Sequence, residues 1–115
     1  MKMQKERRAS RRHMCSELVH LNWPNPRGGR KSDVGLLEDV SPQGACVNLK
    51  KPMAVGDLVS LHARGFDGDA EVAFCLPIED GYQVGLEFLD GSCWNREKWR
   101  PKHLLENAGA LDSAA

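Results

Sequence analysis

The chain has no Cys-x-x-Cys pair, no long apolar run and few aromatic residues, and its charge sums to zero. Cys15, Cys46, Cys75 and Cys93 stand 31, 29 and 18 residues apart, a spacing that argues against a zinc site. Three of the four fall in predicted strands, where a free cysteine acts as a small buried hydrophobe. A reduced, cytoplasmic chain is therefore expected. No apolar stretch approaches the ~18 residues of a membrane span. The basic start is not followed by the apolar segment of a secretory signal. Aromatic residues make up 6% of the chain, too few in the strands to build a stacking surface for nucleic acid. His13, His20, His62 and His103 have no metal-ligand spacing. His20, Asp39 and Ser41 contain the residue types of a hydrolytic triad, but no nucleophile-elbow pattern accompanies them. Neither catalysis, a metal, a cofactor nor a membrane is expected.

What the chain does have is a charge that is unevenly placed. Residues 1–12 carry a net +5 and the remainder a net −5. A basic arm on an acidic body points to an anionic partner for the arm. At 115 residues the chain is long enough for one domain with a modest core. Residues 1–13 lack an apolar period and are expected to form a flexible basic arm. A body over 14–106 and a disordered tail over 107–115 complete the division.

Within the body the apolar period is 2, which argues for strands half-buried against one core. Cys15 to Trp23 predict a first strand, with Leu18, Val19 and Leu21 as its apolar content. Asp33 to Val40 predict a second, with Val34, Leu36 and Val40 on one face. Ala45 to Leu49 and Asp57 to Ala63 follow as a third and a fourth. Phe66-Asp67-Gly68 is expected to turn. Ala70, Val72, Phe74 and Leu76 then line a fifth strand, and Tyr82, Val84, Leu86 and Phe88 a sixth, after an Asp80-Gly81 hairpin signal. Six short strands predict an antiparallel barrel or sandwich. Ser92 to Arg100 predict one short helix stopped by Pro101, with Trp94 and Trp99 capping a barrel end and Leu104 and Leu105 packing beside them. Lys98, Arg100 and Lys102 would be its charged outer face.

Two short patterns carry the chemistry. The first is Glu6-Arg7-Arg8-Ala9-Ser10-Arg11-Arg12. Arginine bridges phosphate oxygens with paired N–H groups, reaches guanine O6 and N7 bidentately and stacks on purines. Two arginines four apart on an arm can bracket one ligand, and the arm can order as it binds. The second is Asp39-Val40-Ser41-Pro42-Gln43-Gly44, with the residue order of a type I turn. Its carboxylate can accept from a guanine's ring N–H and amine, its hydroxyl can donate or accept, and Gly44 permits close approach or a positive φ. Such a turn most often satisfies its own backbone. Only the pairing with the arginine arm makes it a candidate anion- and guanine-binding site.

Arg-x-x-x-Arg followed by Asp-x-Ser-x-x-Gly resembles the paired signature of PilZ domains, the bacterial receptors for cyclic di-GMP. The likeness continues through Gly44-Ala45-Cys46 and Tyr82-Gln83-Val84-Gly85-Leu86-Glu87-Phe88-Leu89, so it covers about residues 6–90. It implies a six-stranded antiparallel PilZ-like β-barrel. It also implies a cyclic di-GMP site at Arg7, Arg8, Arg12, Asp39, Ser41 and Gly44, with Arg8 and Arg12 as the clamping pair. Arg7 and Arg11 have the same spacing; the Arg8/Arg12 register fits the distance to the first strand. The segment from Trp94 to Leu105 departs from the family's long C-terminal helix. The resemblance further implies a stand-alone receptor that signals in trans to an effector protein. Two other readings remain open: an adaptor that takes no nucleotide, and a small barrel binding nucleic acid through its arm. The body's net negative charge argues against the last.

Overall fold

The structure, a computed structural model, describes residues 12–95 and 97–105. The arm up to Arg11 and the tail from Glu106 lie outside the described residues. Six strands are present: β1 (His13–Pro24), β2 (Arg30–Ser41), β3 (Gly44–Leu49), β4 (Leu58–Ala63), β5 (Phe66–Ile78) and β6 (Gly81–Phe88). They close into a barrel in the order β1-β2-β3-β6-β5-β4, every neighbouring pair antiparallel. Closure leaves the sheet without a free long edge.

The period-2 pattern holds in most strands. Val19, Leu21 and Trp23 of β1, Ala45, Val47 and Leu49 of β3, and Val59 and Leu61 of β4 point into the core, as do Val84 and Leu86 of β6. Leu18 does not: it is 67% exposed on the outer face of β1. Two expected faces are corrected by β-bulges. In β2 the register slips between Leu37 and Asp39, so Leu37 and Val40 face inward while Val34 lies outside and Leu36 is half-buried. In β5 it slips between Val72 and Phe74; Ala70 and Val72 are buried, Phe74 turns out and Leu76 is exposed. One extra residue in a strand reverses every later side chain.

The expected turn at Phe66-Asp67-Gly68 is strand instead. The chain reverses one step earlier, at Arg64-Gly65, where Gly65 takes φ +97°, a value that suits glycine. Phe66 can then point inward, stacked on Trp99 with ring centroids 5.4 Å apart and planes 13° from parallel. The expected helix at 92–100 is also corrected: its described residues form turns, organised by Asn95. The Asn95 side-chain oxygen accepts from the backbone N–H of Glu97 and of Lys98 at 2.8 and 2.9 Å. This is the geometry of a helix N-cap, and the Trp99 N–H bond to the Asn95 carbonyl at 3.3 Å closes a single turn before Pro101. Trp94 and Trp99 nonetheless cap the barrel, 2% and 8% exposed, with Leu104 packed against the same cluster and Leu105 half exposed. The Trp94 indole N–H donates to the Trp99 carbonyl at 2.8 Å. Buried indoles cannot stack on bases, so the basic residues beside them form a solvated rim.

Beyond Pro101 the chain lies along β1. Ser16 N–H donates to the Lys102 carbonyl at 3.0 Å, and Leu105 N–H to the Met14 carbonyl at 2.8 Å. No helix among the described residues is long and apolar enough to cross a membrane.

Candidate functional site

The β2 bulge builds the site. Without it Asp39 would follow Leu37 into the core. With it, Asp39 turns to the outer face at the end of β2, directly opposite Met14 in the β1 register. Arg12 immediately precedes β1, and its guanidinium reaches the Asp39 carboxylate at 3.7 Å. The last described residue of the arm therefore meets the turn at one mouth of the barrel. The pair is partly exposed, 41% for Arg12 and 20% for Asp39. A pair of that kind is worth ~0–1 kcal/mol to stability.

The turn itself is closed by Ser41. Its hydroxyl accepts from the backbone N–H of Gln43 and of Gly44, each at 3.3 Å, and donates to the Gly44 carbonyl at 3.5 Å. Ser41 is the buried polar residue of the barrel wall, 7% exposed. It shapes the turn that presents Asp39 and Gln43. Gly44 serves by its size rather than by a positive φ: a Cβ there would lie 2.1 Å from the Leu86 carbonyl oxygen of β6. Behind the turn, the Trp94 N–H donates to the Pro42 carbonyl at 3.3 Å, and the Trp94 ring packs 5.6 Å from His13. His13 is thus half-buried, with its Nδ1 enclosed.

Arg12, Asp39, Ser41 and Gly44 line one depression of about 150 Å³. That is smaller than the ~300–1,000 Å³ of a typical ligand pocket. It has room for a base or a phosphate, and a larger ligand needs a further wall. Arg7 and Arg8 of the expected site lie outside the described residues, as does Arg11.

Two lining residues escape a reading of the sequence. Phe74 alternates with Val72 as a core residue would, but the β5 bulge turns its ring outward onto Gly85 of β6. A Cβ on Gly85 would lie 2.1 Å from that ring. Glu87, the register partner of Gly44, adds a second carboxylate. The only signal for Phe74 is Gly85 itself, a strand-interior glycine, which often marks a close approach. The site thus offers a flat aromatic ring, two carboxylates that accept, and one guanidinium that donates. Among its described residues the carboxylates outnumber the cation.

Beneath the surface, burial pushes the Cys46 thiol up to about 12, and the charges of Asp39 and Glu38 add to the effect against the opposing pull of Arg12 and Gln83. Burial pushes Cys15 up to about 12 as well, with Asp39, Glu17 and Glu38 adding. Both are neutral thiols without nucleophilic character. All four cysteines are free. No cluster of metal-ligating side chains occurs among the described residues. His20 lines a separate groove, apart from Asp39 and Ser41.

With this geometry in hand, the family model described as PilZ domain matches residues 6–97 of the chain. Comparison with curated proteins and with solved structures finds no match.

Proposed function

The chain belongs to the PilZ domain family, and on that premise we propose that it is a receptor for cyclic di-GMP acting in trans on an effector protein. PilZ domains are binding and adaptor domains rather than enzymes. The observation that carries the proposal is the meeting of Arg12 with Asp39 at 3.7 Å beside the Ser41–Gly44 turn. It joins the end of the arginine arm to the turn that the second pattern forms.

In this reading a guanine enters the depression and lies on Phe74. Its Watson–Crick edge, rich in N–H donors, meets the Asp39 carboxylate. Arg12, released from Asp39, turns to O6 and N7 or to a phosphate. Arg7 and Arg8 supply the other wall. They also supply the positive charge, since Arg12 alone does not offset Asp39 and Glu87. Ser41 and Gly44 act on the ligand through the turn they hold. Binding neutralises the arm and fixes it across the mouth of the barrel, a change of surface that a partner protein can read.

A second reading, an adaptor that takes no nucleotide, draws on the same excess of carboxylates in the depression. Calorimetric titration with cyclic di-GMP at moderate salt, with cyclic di-AMP and GTP as controls, separates the two. Selective binding of cyclic di-GMP is expected. A folded protein that binds none of the three is an adaptor, and the receptor reading fails.

A further inference from the structure

A second groove, of about 520 Å³, lies on the β1–β4 side of the barrel and shares no residue with the depression at Asp39. His20 of β1 and His62 of β4 are register partners on the outer face. Arg64, from the turn after β4, and Lys102 and His103, from the segment lying along β1, complete its basic lining. Five side chains able to carry positive charge thus converge from three parts of the chain.

Two carboxylates stand beside these cations, Glu17 in the lining and Asp67 next to His62, and each keeps its negative charge. Glu17 of β1 accepts the backbone N–H of Lys102 at 2.6 Å. Asp67 of β5 sits 2.8 Å from His62 Nδ1, which leaves the other ring nitrogen for the groove. β2 contributes Leu36 and no charge. Among the described residues neither the Arg64 guanidinium nor the Lys102 ammonium is in an ion pair.

One feature of this lining is unfavourable for folding alone. His103 has φ +58°, the one left-handed non-glycine residue among the described residues. Strain of that kind gathers at functional sites.

We propose that this groove is a second anion site, which takes a short phosphate chain. Arg64 and Lys102 supply the charge, and the rings of His20 and His103 can donate to the phosphate oxygens beside them. Recognition is assigned to the phosphates, which Arg64 and Lys102 bind directly; Ser16, Glu17 and the aliphatic Leu18, Leu36 and Ala63 complete the lining.

The arm also attracts anions, so the test must silence it. Inorganic tripolyphosphate is titrated calorimetrically into the full chain and into a variant carrying Arg7→Ala, Arg8→Ala, Arg11→Ala and Arg12→Ala. Binding retained in the arm variant is expected. In that background His20→Asn and His103→Gly should each weaken it about tenfold, the worth of one charge-assisted hydrogen bond. His103→Gly also relieves the strained φ, so a stabilised protein that binds less well separates a binding role from a structural one. ATP should bind no better than tripolyphosphate. Loss of binding in the arm variant, unchanged affinity in both groove variants, or binding of ATP without tripolyphosphate would each overturn the proposal.

Discussion

Gly44→Ala tests whether the turn glycine is needed for space. Gly44 opens β3 opposite Glu87 of β6. An added Cβ would meet the Leu86 carbonyl oxygen at 2.1 Å, the Leu86 carbonyl carbon at 3.2 Å and the Glu87 Cα at 3.4 Å. All three are backbone atoms, so no side chain can swing aside. Restoring ordinary contact requires β3 and β6 to part by about 1 Å, which takes a hydrogen bond near 2.9 Å past any useful length. The Phe88 N–H bond to the Gln43 carbonyl, now 2.7 Å, is the first to open. Losing one or two such bonds at ~1 kcal/mol each, with an overpacking term of ~1–3 kcal/mol, gives about 3 kcal/mol in all. For a domain of this size that lowers Tm by about 10 °C. Gly91→Ala is the control. Gly91 has φ +87° with nothing within 4 Å of its added Cβ, so it meets backbone strain alone. That strain costs ~1–2 kcal/mol. Scanning calorimetry of the three proteins compares the two effects. A Gly44→Ala transition within 3 °C of wild type, or a fall no larger than that of Gly91→Ala, would refute the steric argument.

Four further outcomes follow from the site and the thiols beneath it. Arg12→Ala should weaken cyclic di-GMP binding about tenfold or more, the range of a lost arginine–guanine contact. Its Tm should fall by no more than about 4 °C, because an exposed ion pair is worth so little; titration and calorimetry on one preparation check both, and an unchanged Kd counts against the arm site. Phe74→Ala should also weaken binding about tenfold, from lost base stacking of ~1–3 kcal/mol; equal affinities would remove Phe74 from the site. The raised thiols of Cys15 and Cys46 make the folded state the poorer acid, about 12 against 9.0. As pH rises from about 9 to about 12 the unfolded chain releases those protons first, so stability is retained below that range and lost within it. Denaturation midpoints between pH 8 and pH 11 check the sign, and a midpoint that holds or rises would contradict it. At pH 8 exposed Cys93 should react first with iodoacetamide, ahead of Cys15 and Cys46.

The site is shaped by bulges in β2 and β5, beside a further register shift in β1 between Met14 and Glu17. Each bulge inserts one residue, Glu38 in β2 and Ala73 in β5. The first aims Asp39 at Arg12, and the second lays Phe74 over Gly85. Bulges often flank binding sites because they re-aim a side chain without disturbing the core. Here the inward sequence resumes at Val40 in β2, so the barrel stays filled while its outer wall carries Asp39.

How much of this was readable from the residues follows from the range of the interactions involved. The alternation in β3, β4 and β6 is local, and it determined six strands around one core before any contact was known. The Ser-Pro-Gln-Gly order determined the turn, since proline, glycine and the Ser41 hydroxyl act within four residues. The two motifs in order determined the family. The bulges were not readable, because slipping a register costs little locally and is decided by the neighbouring strands; hence the misplaced faces of Val34, Leu36 and Phe74. The helix at 92–100 was not readable for a related reason. Trp94 and Trp99 are held by the barrel end, so only the single turn that Asn95 caps forms before Pro101. The convergence of His20, His62, Arg64, Lys102 and His103 belongs to the tertiary structure alone. Residues 20 and 103 become neighbours only when the barrel closes and the segment after Pro101 lies along β1, a long-range packing event that no local pattern encodes.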